Sequence, residues 1–519
     1  MAYVTDHPTK TRGSYLDVIL SHWAADDEAE TLVGCGERLR RVDARRQLFR
    51  TATALRRQGL RPGASVGAFT SNRAEAVLVH LAVHLIGCRL VFLPPEPGPG
   101  ELAALIDRSD CRTVVVDPLL SEKAQEAVGR CRTAPVLLSM GPGGPPGADD
   151  LPALAAACPA GPPETVPGPL PGDAVTVLYT GGTTLGRPKL PAHGRTLYDA
   201  MAASAATAPG GGRVLAATRL THGSGHLVML NTLLTGSCLV VLPAWDPAAA
   251  FDVLRDERIT AAALVPPMLG DLLDDPRCRP GALPDLRQIH VGAAPISSAR
   301  LRQAVEVFGP VISQGYGQSE CLGITSLPAR ELPADRESPR WRSCGRPLPG
   351  TEVQIRDAEG AVLPAGETGE VCVRGPAMML GYLEGPENTG EAVREGWLRT
   401  GDSGFLDEEG YLYLVDRVRD VIVTGRGSGN VYSGLLDDVA SGLPGVREAA
   451  AVGVPDDAVG EAVRLFLVAE DGTGPDTAAV AEAITAELGE LYTPREIVLV
   501  PSLPRTGAGK IDKRALRTR

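Results

Sequence analysis

The chain is 519 residues long, 44% hydrophobic and 22% charged, with a formal charge of −12. That length exceeds what one hydrophobic core serves, so at least two domains are expected, and the acidic balance excludes a surface for non-specific nucleic-acid binding. The opening M-A-Y-V-T-D-H-P-T-K lacks an apolar core, and the longest uncharged apolar stretch, Ala76–Cys88, is too short for a bilayer and carries His80 and His84; no membrane partner and a cytoplasmic location are expected.

In chain order, apolar residues recur at helical spacing over Ala44–Gln58, and the run stops at Gly59. Ser65–Thr70 reads as a strand, Ala74–Ile86 as a largely buried helix, Leu90–Leu93 as a strand, Leu102–Arg108 as a helix and Thr113–Val116 as a strand. This alternation predicts a parallel, doubly wound sheet. Met140–Asp173 is dense in Gly and Pro, with little periodicity beyond Leu151–Ala157, and is expected to be a surface connection.

A second α/β run follows: strands Arg213–Ala217, Cys238–Leu242, Ala261–Val265 and Gln288–Val291, with helices His226–Leu234, Ala248–Arg255 and Met268–Leu273 between them. Two β/α layers side by side are expected. From Gly350 the texture changes to short strands separated by Gly and Asp, at Val353–Arg356, Gly369–Arg374 and Tyr411–Val415, which predicts an antiparallel, barrel-like piece. A last α+β segment holds Val446–Val454, Val463–Ala469, the helix Thr477–Leu488 and Ile497–Val500. The domains expected are a large one over residues 1–416 and a small one over 417–519.

Ten cysteines without a C-x-x-C pair suit reduced, buried thiols rather than disulfides or a zinc site. His222 and His226 lie four apart in T-H-G-S-G-H, but without H-E-x-x-H they make a poor metal pair.

The chemistry concentrates in Tyr179–Leu190, Y-T-G-G-T-T-L-G-R-P-K-L. Glycines let backbone N–H groups turn toward an anion, hydroxyls add donors, and a lysine supplies a compact charge, so the stretch reads as a triphosphate loop, although such composition also occurs in plain surface turns. It is not of the G-x-x-x-x-G-K-[ST] kind. Only five of the 51 basic residues are lysines (Lys10, Lys123, Lys189, Lys510 and Lys513), and two of these sit in Gly-rich loops. A lysine kept in an arginine-using background suggests a need for its rotatable ammonium. Further on, Gly292-Ala293-Ala294-Pro295 and Gln314–Glu320, Q-G-Y-G-Q-S-E, follow strands. Small residues there admit a flat base, Tyr316 can stack on it, and Glu320 can hold a divalent cation. Trp397–Asp402 places a carboxylate suited to ribose hydroxyls, Asp416–Asp420 is a polar junction, and Pro504–Asp512 sets Lys510 after two glycines.

In this order these motifs resemble the ATP-dependent adenylate-forming superfamily, which includes acyl-CoA synthetases, luciferases and the adenylation domains of non-ribosomal peptide synthetases. The resemblance covers nearly the whole chain. It implies an α/β enzyme with a large N-terminal domain of two doubly wound layers plus a β-barrel-like subdomain, and a small mobile α+β C-terminal domain. It implies that Thr180, Gly181, Gly182, Thr183, Thr184 and Lys189 cradle the β- and γ-phosphates of ATP, with Thr184 and Glu320 near Mg²⁺. Ala293, Ala294, Pro295 and Tyr316, followed by Gly317, Gln318 and Ser319, would bind the adenine, and Asp402 and Arg417 the ribose. His222, with Gly292, Gly315 and Gly317, would line the acid pocket, Lys510 would bridge the acid and the α-phosphate, and Arg419 would be the hinge of the small domain, where Asp or Lys is usual. Glu320, Arg417, His222 and Lys510 are the residues given catalytic roles.

The chain departs from the pattern in two places. The phosphate loop has one residue more than usual between Thr184 and Pro188 and ends in Leu190 instead of Gly, leaving its register on the phosphates open by one position. Thr424–Asp437 is about two residues longer than the usual Gly-Gly-Glu-like loop, with Ser433 in place of Pro and Leu435 in place of an acid. That loop faces the second half-reaction in CoA ligases. The stretch Phe251–Met268 looks like acyl- or aryl-CoA ligases rather than amino-acid-activating domains. The leading expectation is activation of a small, aromatic or medium-sized acid as its adenylate, then transfer to CoA. The alternatives are adenylation with another acceptor (a carrier-protein thiol, an amine, or nitrite activation for diazotisation of an aryl amine), and a catalytically silent homologue.

Overall fold

A computed structural model describes residues 14–34, 36–163, 173–180, 189–208, 210–417, 422–424, 429–456, 460–470, 474–506 and 509–518. The chain divides into two compact units, Met1–Leu178 with Ala192–Ala244, and Tyr179–Pro191 with Trp245–Arg519. The second α/β run expected from the sequence is therefore shared out between them: Arg213–Ala216 and Cys238–Val241 belong to the first, and everything from Trp245 onward to the second.

In the first unit, Ser65–Phe69 lies between Arg89–Phe92 and Cys111–Val116, all parallel, with Ala174–Val177 beside Arg89–Phe92 and Val136–Ser139 beside Cys111–Val116. Val66, Ala68, Leu90, Val91, Val114 and Val115 are all buried, the near-continuous apolar texture of a sheet covered on both faces. A second parallel set is formed by Arg213–Ala216, Cys238–Val241 and Glu30–Gly34, with Glu37–Arg40 antiparallel at its edge. Asn72, buried, ties the two sets together: its amide donates to the carbonyls of Thr218 (3.0 Å) and Leu242 (3.2 Å), and its oxygen accepts from the N–H of Leu220.

Met140–Asp173 is more structured than its composition suggests. Asp149–Asp150 extends the sheet parallel to Val136–Ser139, and Asp150 caps the helix Leu151–Ala156 by accepting from the Ala153 N–H. That helix packs on Arg41–Arg57. The helix falls on Leu151–Ala157, the one part of this Gly/Pro-dense stretch where the sequence shows periodicity.

Half of the chain's eight histidines meet in the core of this unit. His80 and His84 come from Ala74–Leu85, His226 from Gly223–Leu234, and His193 from Pro191–Gly194. The His84 ring lies between the Tyr15 hydroxyl (2.5 Å) and the Thr176 hydroxyl (3.1 Å), Thr176 also bonds Tyr198, and Tyr198 bonds His226 at 3.1 Å. His80 packs on Phe92 with ring centroids 5.1 Å apart, and neither of its nitrogens has a hydrogen-bond partner.

The second unit opens with parallel strands Ala261–Leu264, Gln288–Val291 and Ile312–Gln318, continued antiparallel by Cys321–Leu327 and Arg346–Pro347. The antiparallel sheet expected after Gly350 follows, with Gly369–Arg374 between Glu352–Arg356 and Trp397–Leu406, and Leu412–Arg417 on the far side of Trp397–Leu406. The C-terminal α+β part pairs Val446–Asp456 with Gly460–Ala469 and the latter with Glu496–Leu499, under helices Ser433–Ser441 and Thr477–Leu488; Ile422, Val431, Leu436, Val463, Leu465 and Ile484 form its core.

Candidate active site

The Gly-rich stretch is closed at its neck. Thr180 N–H donates to the Lys189 carbonyl at 3.1 Å, and Lys189 N–H donates to the Thr180 hydroxyl at 3.2 Å. Gly181, Gly182, Thr183 and Thr184 lie outside the described residues, as does Arg419. Beyond the neck, Leu190 accepts from the Leu383 N–H at 2.8 Å, which joins the loop's end to Gly381–Tyr382. The Lys189 ammonium sits over the Tyr382 ring, 4.7 Å from its centroid.

Tyr382 also reaches Glu320. Its hydroxyl donates to Glu320 Oε1 at 3.0 Å, while the Glu320 carbonyl accepts from Met379 N–H at 2.7 Å. Burial, and then the neighbouring carboxylate, push the Tyr382 phenol far above its ordinary range, so it stays a donor. Among the described residues no cation pairs with Glu320 and no carboxylate with Lys189.

Ile312–Gln318 delivers Gln314, Gly315, Tyr316 and Gln318 to the same region, with an irregularity in pairing between Tyr316 and Gln318. The Tyr316 hydroxyl donates to Asp402 Oδ2 at 2.5 Å. Asp402 is buried on Trp397–Leu406, held by its own N–H on the Thr400 hydroxyl, and Arg417 stands opposite it on the neighbouring strand. Gly292–Pro295 follows Gln288–Val291, and Ala293 has φ +68, a left-handed conformation that costs a non-glycine residue energy and recurs at functional turns.

The sequence reading missed His290. A Cβ on Gly315 would stand 2.8 Å from the His290 ring and 3.0 Å from the Thr325 carbonyl, and a Cβ on Gly292 3.1 Å from the Gly315 carbonyl. The glycines thus make room for an imidazole, and burial lowers its pKa so that it is neutral at pH 7. A single His inside an apolar strand carries no spacing signal. Tyr382 was missed for the same reason: G-Y-L becomes informative only once the fold sets it against Glu320.

His222 lies in the first unit, where it caps the helix Gly223–Leu234. Its Nδ1 accepts from the Ser224 N–H at 3.3 Å and lies 2.9 Å from the Ser224 hydroxyl. Lys510 lies on the C-terminal hairpin, where Thr506 N–H donates to its carbonyl at 2.7 Å and Arg505 bridges Ile511. The second unit therefore brings Lys189 and Glu320 to Tyr382, and separately Tyr316 to Asp402, with Arg417 beside Asp402 in register. No group of three or more His, Cys, Asp or Glu that could hold a metal occurs among the described residues. The nine described cysteines are free thiols.

A cation over an aromatic face, a carboxylate with no cation beside it among the described residues and a buried acidic acceptor joined to a tyrosine are groups whose chemistry suits a polyanion carrying hydroxyls. The family model for AMP-binding enzymes matches residues 21–383, and that for the AMP-binding enzyme C-terminal domain matches residues 436–510. The chain belongs to the AMP-binding enzyme family. It is thus a member of an adenylate-forming enzyme family with a large N-terminal and a small C-terminal domain. Among its relatives, medium/long-chain-fatty-acid–CoA ligase FadD8 of Mycobacterium tuberculosis is 35% identical over 485 residues, 89% of this chain and 82% of that protein. Feruloyl-CoA synthase of Amycolatopsis is 31% identical over 490 residues, 93% of this chain and 94% of that one. The amide bond synthetase McbA from Marinactinospora thermotolerans is 35% identical in structural alignment, with a TM-score of 0.87 over 97% of this chain and 99% of that one. No helix among the described residues is long and apolar enough to cross a membrane.

Proposed function

We propose that this AMP-binding enzyme activates a free carboxylic acid with ATP and passes the acyl group to CoA. In the first step a carboxylate oxygen attacks the α-phosphorus, the bond to the β-phosphate oxygen breaks, and pyrophosphate leaves. In the second, the CoA sulfur attacks the acyl carbonyl and AMP leaves. The observation that carries this reading is the set of groups around Tyr382 and Tyr316, in a chain whose full-length relatives include CoA ligases.

The residues present fit ATP and Mg²⁺. Lys189 supplies the positive charge at the end of the Gly-rich loop, and the loop's own N–H groups and hydroxyls, through Thr184, would add donors for the β- and γ-phosphates. The Glu320 carboxylate, which pairs with no cation among the described residues, suits Mg²⁺, which keeps several waters and binds through one or two carboxylates plus substrate phosphates; bound there, it would neutralise charge on the phosphates. Asp402, desolvated but accepting from Tyr316, would take the ribose hydroxyls together with Arg417, and the Ala293 turn, Ala294 and Pro295 would face the base with Tyr316. Lys510 would neutralise the meeting of two anions, and Arg419 would be the hinge between residues 1–416 and 417–519. A cytoplasmic location agrees with both substrates.

The acid is assigned as small and aromatic because feruloyl-CoA synthase, whose name points to an aromatic acid, is a full-length relative. A second reading, transfer to an amine, is favoured by the end-to-end match to an amide bond synthetase and by the altered Thr424–Asp437 stretch. In that stretch Ser433, at the position where the family resemblance implies Pro, accepts from Lys513 Nζ at 2.6 Å, and Lys513 also pairs with Asp437 at 2.7 Å. AMP and pyrophosphate release with Mg-ATP against aryl and alkyl acids, with CoA, with amines and with neither, separates the two. A CoA thioester as product establishes the first reading, and amide formation that ignores CoA replaces it with the second.

A further inference from the structure

Two opposite charges that both serve a nucleotide site face a hazard: if they reach each other they pair, and each is then lost to its ligand. Lys189 and Glu320 are such charges, both at the same side chain, yet neither is ion-paired among the described residues. The ammonium lies over the face of Tyr382 and the carboxylate at its hydroxyl edge. The ring face is the negative side of the aromatic quadrupole and the hydroxyl is a donor, so each charge meets its electrostatic complement.

We infer that Tyr382 is a positioning residue that holds Lys189 and Glu320 apart, keeping the first for phosphate and the second for the metal.

The backbone around Tyr382 is built for this. Leu383 N–H is fixed to the Leu190 carbonyl, next to Lys189, and Met379 N–H to the carbonyl of Glu320 itself, with Leu322 N–H on Ala377. Tyr382 N–H donates to the Thr389 hydroxyl at 2.9 Å, and any side chain on the preceding Gly381 would collide with Thr389 at 2.9 Å. The tyrosine is therefore clamped from both of the segments whose charges it separates.

The inference rests on the nucleotide reading above, and its test is thermal stabilisation of the full-length protein, which needs no turnover. ATP is titrated in EDTA, and Mg²⁺ is titrated at fixed ATP, for wild type, Tyr382→Phe, Tyr382→Leu, Glu320→Gln and the double variant Tyr382→Leu/Glu320→Gln. Tyr382→Phe keeps the ring and loses the hydroxyl, so ATP affinity in EDTA stays within about twofold while half-saturation by Mg²⁺ rises about ten- to a hundredfold, the size of one charge-assisted hydrogen bond. Tyr382→Leu lets the charges pair and weakens ATP in EDTA by about tenfold or more, and adding Glu320→Gln in that background restores most of the loss by freeing Lys189. In the wild-type background Glu320→Gln changes metal-free ATP binding by less than about twofold. The inference is overturned by unchanged Mg²⁺ half-saturation in Tyr382→Phe, or by a Tyr382→Leu loss that Glu320→Gln does not restore. Should Tyr382→Leu not fold, the Mg²⁺ titration of Tyr382→Phe decides alone. Wild-type protein that ATP fails to stabilise at all overturns the nucleotide reading itself.

Discussion

The histidines buried in the first unit make its stability depend on pH. Burial pushes His80 down to about 3 and His84 down to about 4, and holds His226 well below the ordinary 6.5. Depressed histidines favour the neutral form when folded, so their contribution is fully present above pH 6.5 and is lost as pH falls from there toward the folded values. At 1.36 kcal/mol per pH unit, His80 and His84 each cost about 2 kcal/mol at pH 5, or roughly 4 kcal/mol together, with His226 acting in the same direction, against a whole domain's stability of about 5–15 kcal/mol. His80 is the cleanest probe, because neither of its nitrogens is hydrogen-bonded and it packs on Phe92. Replacing it with leucine removes a protonation site without orphaning a partner. Tracking acid unfolding by circular dichroism, with hydrogen exchange to localise the loss to the first unit, should show His80→Leu gaining about 2 kcal/mol over wild type between pH 8 and pH 5, and its acid midpoint falling by about half a unit. A midpoint that does not move would refute the reasoning, since it would mean that His80 is not the group taking up the proton.

Other perturbations read the second unit and the acid side. Tyr316→Phe removes the hydrogen bond on buried Asp402 and should weaken ATP by about 1.5–3 kcal/mol, measured by calorimetry, with no change in acid preference. Gly315→Ala places a Cβ 2.8 Å from the His290 ring and should lower kcat/KM for planar acids more than for linear ones, seen by profiling an acid panel. His222→Ala removes the acceptor for Ser224 N–H at the start of Gly223–Leu234; a stability loss of about 0.5–2 kcal/mol by urea unfolding should accompany a higher KM for the acid, and a KM effect without stability loss would separate the two roles.

Much of this was legible because it is carried by local pattern. The strands Ser65–Phe69 and Cys111–Val116 and the helix Ala74–Leu85 announce themselves through unbroken apolar runs bounded by Gly, Pro or Asp, and Glu320, Tyr316 and Asp402 through small-residue motifs. What the sequence hid depends on sequence-distant contact. Tyr382 lies 62 positions from the carboxylate it bonds, and nothing in G-Y-L marks it as more than strand. His80 and His84 look like blemishes in an apolar helix until the sheet and Gly223–Leu234 bring Tyr198, Thr176 and His226 against it. The boundary of the two compact units at Ala244 is not marked in the sequence, because alternating strands and helices run through it without a break in texture.

The neck at Thr180 and Lys189 has an evolutionary corollary. A loop whose two ends are bonded to each other can change length without disturbing the strands that carry it, since the closure entropy of one added residue is small. The place of Lys189 is set from its downstream side, by the pairing of Leu190 with Leu383, rather than by counting residues from Thr180. One residue added between the two can therefore be taken up without moving Lys189 from its place over Tyr382, and variants of this chain should tolerate such a change more readily than loss of the tyrosine beneath its lysine.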